Sequence, residues 1–146
     1  MTGETLIVSR VFPAPADLLW KAITEKERMK EWYFDIAEFR PEPGFHFTFT
    51  GGTETREYLH LCTVIQAVSC VLLSYSWEYQ GYPGKTIVTF RLEPAEGGTK
   101  LTLSHSGLDS FPADNPDFNR ENFRQGWDYL MNTSLKQYIE KTAASV

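Results

Sequence analysis

The side chains in this sequence that could do chemistry are His46, His60, His105, Glu57, Cys62 and Cys70. His105 continues the Leu101 and Leu103 face of a strand-like run and lies just before Gly107. There an imidazole could orient the polar group of a ligand or move a proton; the competing reading is a core histidine satisfied by a neighbouring carbonyl. Glu57 would be a buried carboxylate with a raised pKa, able to act as a general base, if its strand face is inward. If that face is outward, it is an ordinary solvated carboxylate. His46 and His60 fall on different strands with no cysteine or carboxylate at ligand spacing, so no metal site is expected. The chain carries no Gly-rich phosphate loop, Gly-x-Ser-x-Gly elbow or Cys/His nucleophile pattern, and no cofactor is expected. Cys62 and Cys70 sit on the two arms of one hairpin turning near Val68, which pairs Cys62 with a residue near Ser74 and leaves both thiols free. Free thiols point to a reducing, cytoplasmic setting.

The elements that must position these residues follow from periodicity. Thr5 to Phe12 reads as a strand ended by Pro13 and Pro15, and Pro15 suits the first position of a helix. That helix has Asp17 in its first turn and an apolar side of Leu18, Leu19, Ala22 and Ile23. Thr24 to Glu27 has the capping-box pattern for a second short helix closing with Met29, Trp32 and Tyr33. From Phe34 the period becomes two, with strands expected over 34–40, 44–50, 54–66, 70–80, 85–94 and 98–107. Connections this short predict an antiparallel meander. The segment from Phe118 to about Thr142 carries Phe123, Trp127, Leu130, Met131, Leu135, Tyr138 and Ile139 at helical spacing. The fold class is therefore α+β: a curved seven-stranded antiparallel sheet, two short helices after strand one, and a long C-terminal helix.

One helix cannot cover such a sheet. Seven strands at about 4.8 Å spacing span roughly 33 Å, against about 10 to 12 Å for a helix with its side chains. The sheet must curl around the helix, and any space left under the curl is a pocket. Alternation turns Phe47, Phe49, Tyr75, Trp77, Phe90 and Leu103 toward the interior, where Phe123, Trp127 and Met131 meet them from the helix. Dense core packing is one reading; a pocket for a flat apolar ligand is the other. Polar atoms in the same interior, on Tyr75, Trp77, Ser134 and His105, favour the pocket because a dry core would have to pair them. Between Gly107 and Asp117, with Pro112 and Pro116 around Phe111, the longest connection reads either as a gate with Phe111 as its apolar contact or as a rigid crossover.

Composition narrows the partners. The chain has 146 residues and a net charge of −5, with no cluster of Lys or Arg, which argues against nucleic acid and against an anionic membrane surface. No window is apolar enough to span a bilayer, and the charged N-terminus does not read as a secretion signal. One domain, 1–146, is expected.

The order and spacing of Phe12-x-Ala-x-x-Asp17-x-x-Trp20-x-Ala-Ile-Thr24, Glu31-Trp32, Leu73-Ser-Tyr-Ser-Trp77 and Gly126-Trp127 with Leu130 and Leu135 resemble the SRPBCC superfamily of START-like, birch-pollen-allergen-like helix-grip proteins. Within it the chain is similar to the group of homologues of the activator of heat-shock-protein-90 ATPase. The resemblance implies a hydrophobic cavity between the sheet and the last helix. It also covers lipid carriers, hormone receptors and aromatic-polyketide cyclases, so it leaves activity open. The expected function is enclosure of a small apolar or aromatic ligand. The alternatives are a cyclase or isomerase using His105 or Glu57, and a chaperone-interacting module. The last is disfavoured because outward strand positions are mostly Ser, Thr, Glu, Arg and Lys, and because the separate N-terminal domain of the chaperone-activating members is absent.

Overall fold

The computed structural model describes residues 5–52, 57–112, 114–115 and 118–144. Strand β1 (Leu6–Phe12) is followed by helices α1 (Ala16–Thr24) and α2 (Lys26–Trp32). Strands β2 (His46–Gly52), β3 (Glu57–Val68), β4 (Leu72–Tyr79), β5 (Thr86–Ala95) and β6 (Gly98–Ser106) come next. The C-terminal helix runs as α3 (Arg120–Tyr129), a π-helical stretch (Leu130–Leu135) and α4 (Lys136–Ala144). Every strand pairing is antiparallel, in the order β1-β6-β5-β4-β3-β2. The meander is thus as expected, with β1 returning to the free edge of β6.

Six strands form where seven are expected, because 34–40 does not join the sheet. Its buried apolar residues are Ile36 and Phe39, with Ala37 and Glu38 both exposed between them, so the two-residue alternation a strand needs is broken. Pro41 and Pro43, which follow, have no N–H to give a ladder. The segment instead crosses the end of the sheet, where Phe39 packs edge-on against Phe47 and Phe34 stacks on Phe49.

Two local signals in the helices resolve differently from expectation. Pro15 stands one residue before α1, at its N-cap, rather than at its first position. Thr24 does not form a capping box: it ends α1, and its hydroxyl donates to the Trp20 carbonyl at 2.6 Å, the back-bond available to a threonine on a helix. Glu25 becomes the N-cap of α2 without a side-chain bond. The C-terminal helix starts at Arg120, two residues later than expected, because the Asn119 side chain accepts from the Asn122 N–H at 2.7 Å and caps it.

The core lies between the concave sheet face and the C-terminal helix. The ambiguous third strand turns Tyr58, His60, Cys62 and Val64 inward, opposite exposed Glu57 and Ile65. Its register with β4 shifts between Val64 and Gln66, a bulge that increases local bend and twist. Leu73, Tyr75, Val88, Phe90, Leu101 and Leu103 from the sheet meet Met131, Leu135 and Ile139 from the helix. The π-helical turns coincide with polar ties: Ser134 Oγ donates to the Trp32 carbonyl at 2.6 Å, and Arg10 Nη1 donates to Asn132 Oδ1 at 3.1 Å. These anchor the middle of the helix to α2 and β1. Gly97 and Gly98 make the expected β5–β6 hairpin, and Gly98, at φ +156°, gives the Phe12 carbonyl room to pass.

Candidate functional site

The space under the curl is filled in its deeper half. Phe47 packs edge-on against Tyr75 at 5.0 Å, and Phe90, Leu103 and Met131 are buried around them. The Tyr75 hydroxyl lies 2.7 Å from that of Tyr33, so each satisfies the other, and burial pushes the ionisation of both phenols upward. Burial likewise pushes the Cys62 thiol up, which leaves it protonated and inert.

His105 is completely buried and engaged at both ring nitrogens. The Trp127 indole N–H can only donate, and it reaches His105 Nδ1 at 3.0 Å; Nδ1 is therefore the acceptor and Nε2 carries the proton. Nε2 then donates to Thr86 Oγ1 at 2.7 Å, and that hydroxyl donates to the Trp77 carbonyl at 2.9 Å. Burial lowers its pKa to about 3. The residue is a neutral structural link between β4, β5, β6 and α3, and it has no nitrogen left for a ligand. Glu57 is exposed on the outer face and does not line the cleft described next.

A cleft of about 440 Å³ opens instead between α3 and the end of the sheet formed by β2, β3 and β4. Phe34, Gly51, Tyr58, His60, Trp77, Tyr79 and Phe118 line one side, and Asn122, Phe123, Gln125, Gly126, Trp127, Tyr129 and Leu130 the other. Among the described residues, no wall residue carries a formal charge at neutral pH. Of the residues picked from sequence, Trp77, Phe123 and Trp127 reach the cleft, whereas Phe47, Tyr75, Phe90, Leu103, His105 and Met131 belong to the packing behind it. Phe49 lies beneath His60, with ring centroids 4.3 Å apart. Phe111 backs the wall, 5.3 Å from Phe118 and 5.8 Å from Phe123.

The connection that carries Phe111 has a short helical turn, Leu108–Ser110, pinned to β5: the Lys85 N–H donates to Ser110 Oγ at 3.0 Å. Up to Pro112 it has the character of a crossover held to the body of the protein. Pro116 and Asp117 lie outside the described residues, so the gate reading concerns a part of the chain that is not described.

Most wall residues are not among those picked from sequence, and one of these, His60, carries an imidazole. Its Nδ1 lies 3.2 Å from the Phe49 carbonyl and 3.1 Å from the Tyr58 carbonyl, and carbonyls only accept, so Nδ1 carries the proton. Nε2 is left with its lone pair and has no protein partner among the described residues, and the residue lines the cleft. Burial lowers the pKa of the ring to about 4, against the opposing pull of the two carbonyls. The pairings of Cys62 with Phe47 and of His60 with Phe49 across β2 and β3 show that this strand turns its even-numbered residues inward, and alternation along one strand does not contain them.

With this geometry established, the comparisons are informative. Residues 13–140 match the family model described as Activator of Hsp90 ATPase homolog 1-like protein. The chain belongs to that family. Solved structures of similar proteins share the fold. Protein MLL2253 of Mesorhizobium loti superposes with a TM-score of 0.75 at 26% identity, covering 95% of this chain and 98% of the other. BH1534 of Bacillus halodurans gives 0.73 at 26% identity over 95% and 99% of the two chains. CalU16 of Micromonospora echinospora, at 22% identity and 0.73 over 98% and 80%, supports the fold. No curated protein matches the chain. Family membership and these likenesses support a ligand-binding fold. No helix among the described residues is long and apolar enough to cross a membrane.

Proposed function

We propose that this protein binds a small, uncharged, largely aromatic molecule in the cleft between α3 and the β2–β4 end of the sheet. One observation carries the reading: a cleft of about 440 Å³ whose walls, among the described residues, are largely aromatic and free of formal charge. Its volume lies within the usual range for small-molecule sites, and flat rings fit between Trp77, Trp127, Phe34 and Phe118. Binding is preferred to catalysis because neither His105 nor Glu57, the groups a cyclase or isomerase would use, reaches the cleft. A chaperone-docking surface is less well supported, since exposed Ile7 and Ile87 are paired across the sheet with Ser104, Ser76 and Ser106 rather than with one another. The two free cysteines support a cytoplasmic setting.

The test uses N-phenylnaphthylamine, a neutral probe whose emission rises in apolar surroundings. It should bind saturably at one site and quench tryptophan emission, because Trp77 and Trp127 form the walls. The Gly126→Leu variant places a side chain into the cleft from a helix position with nothing within 4 Å of its would-be Cβ. It should retain the native circular dichroism and lose the probe. Unchanged binding in that variant, or no saturable binding in the parent, would refute the proposal.

A further inference from the structure

We infer that the ligand of this cleft carries a hydrogen-bond donor, a phenolic O–H or an N–H, and presents it to His60 Nε2. The inference rests on the ligand-binding reading above and adds the polarity of the group recognised.

Three observations lead to it. First, the proton of His60 is held on Nδ1 by two backbone carbonyls, on β2 and β3, whose positions are set by the sheet ladder. Moving the proton to Nε2 would lose both bonds and set the Nδ1 lone pair against two carbonyl oxygens. The side chain is thereby fixed as an acceptor toward the cleft. Second, the two indole donors of the walls are engaged elsewhere. Trp77 Nε1 donates to Tyr79 Oη at 2.8 Å, Trp127 Nε1 to His105 Nδ1 at 3.0 Å, and Gln125 Nε2 to Glu121 Oε2 at 3.0 Å. Both indoles therefore offer ring surface to a ligand, and a bare acceptor on the ligand finds neither indole N–H, while Gln125 keeps the second of its two amide N–H groups. Third, the walls contain no Lys or Arg among the described residues, so an anionic ligand there would be stripped of water without a counter-charge from them. A carboxylate is disfavoured twice, by the missing cation and by the lone pair of Nε2.

Ring placement agrees with this. Phe49 stacks on His60 at 4.3 Å and Trp77 meets its edge at 4.8 Å, which holds the imidazole still. Glycine at position 51 lets Phe34 and His60 lie close together: a Cβ there would stand 2.9 Å from the Phe34 ring and 3.3 Å from His60 Cε1.

The experiment compares three probes on one ring system, naphthol, methoxynaphthalene and naphthoate, by calorimetric titration of the full chain at pH 7. A donor meeting an otherwise unpaired acceptor should make naphthol bind about tenfold more tightly than its methyl ether, although the ether is the more apolar molecule. Naphthoate should bind more weakly than either. In His60→Phe the preference of naphthol over the ether should vanish while the ether still binds. Long-range nitrogen–proton NMR on the unmodified protein should show the His60 proton on Nδ1 and a shift of Nε2 on adding naphthol, a readout that does not need the variant to fold. If all three probes fail to bind, the cleft is not a site for this class of ligand and both readings fall. If naphthol and its ether bind equally, or if naphthoate binds best, the ligand-binding reading stands and this inference is overturned.

Discussion

His60 and His105 divide two roles that their residue type cannot distinguish. Both are neutral and buried, yet one is bonded at both nitrogens and the other keeps a lone pair at the cleft. Their shared desolvation has a measurable consequence. In the unfolded chain both titrate near 6.5, and in the fold near 4 and 3. Between those values the unfolded state binds more protons, so the stability they contribute is complete above about pH 6.5 and is lost as pH falls toward their folded pKa values. Each should remove about 1 kcal/mol per pH unit over that window. Urea midpoints measured at pH 7, 6 and 5 should fall steadily, and His105→Phe, if it folds, should flatten the slope; a level profile in the parent would contradict the assignment.

At the scale of the element, the C-terminal helix does two jobs along its length. Its first turns, α3, supply a wall of the cleft; its later turns, from the π-helical stretch onward, bury Met131, Leu135 and Ile139 against the sheet. The ties from Ser134 and Asn132 mark the change between the two. Gly126 belongs to the first part, and a glycine in a helix interior costs roughly 0.5 to 1 kcal/mol relative to alanine. Because a Cβ there meets nothing within 4 Å, Gly126→Ala should raise stability by about that amount in thermal or urea unfolding. A loss of stability instead would show that the backbone at this position needs glycine for another reason.

The whole molecule has one continuous core running from the sheet through the C-terminal helix to α1 and α2. Pairing of β1 with β6 ties the first strand to the last, and Arg28 and Tyr138 bring α2 to the end of the chain through a 3.2 Å hydrogen bond. With nothing in that core to separate two units, unfolding should be a single cooperative transition. Tryptophan emission and far-ultraviolet circular dichroism should therefore give coincident urea curves, since Trp32, Trp77 and Trp127 sit in different parts of one core. Separated transitions would identify a subdomain that the packing does not suggest.

Amino-acid sequence by itself determined the elements and the way they must close. Period-two runs, short turns and one amphipathic helix were enough to predict an antiparallel meander wrapped on a helix, because alternation and helical spacing are local properties of the chain. It also turned Trp77, Phe123 and Trp127 toward the space between sheet and helix, because those periods define their faces. Tertiary structure decided the rest: that 34–40 crosses the sheet instead of joining it, that His105 is bonded at both ends, and that His60 faces the cleft. Each of these depends on what stands opposite a residue from a distant part of the chain. Cross-strand register, the Trp127 indole over His105 and the two carbonyls that hold the His60 proton exist only once the sheet and the helix have packed.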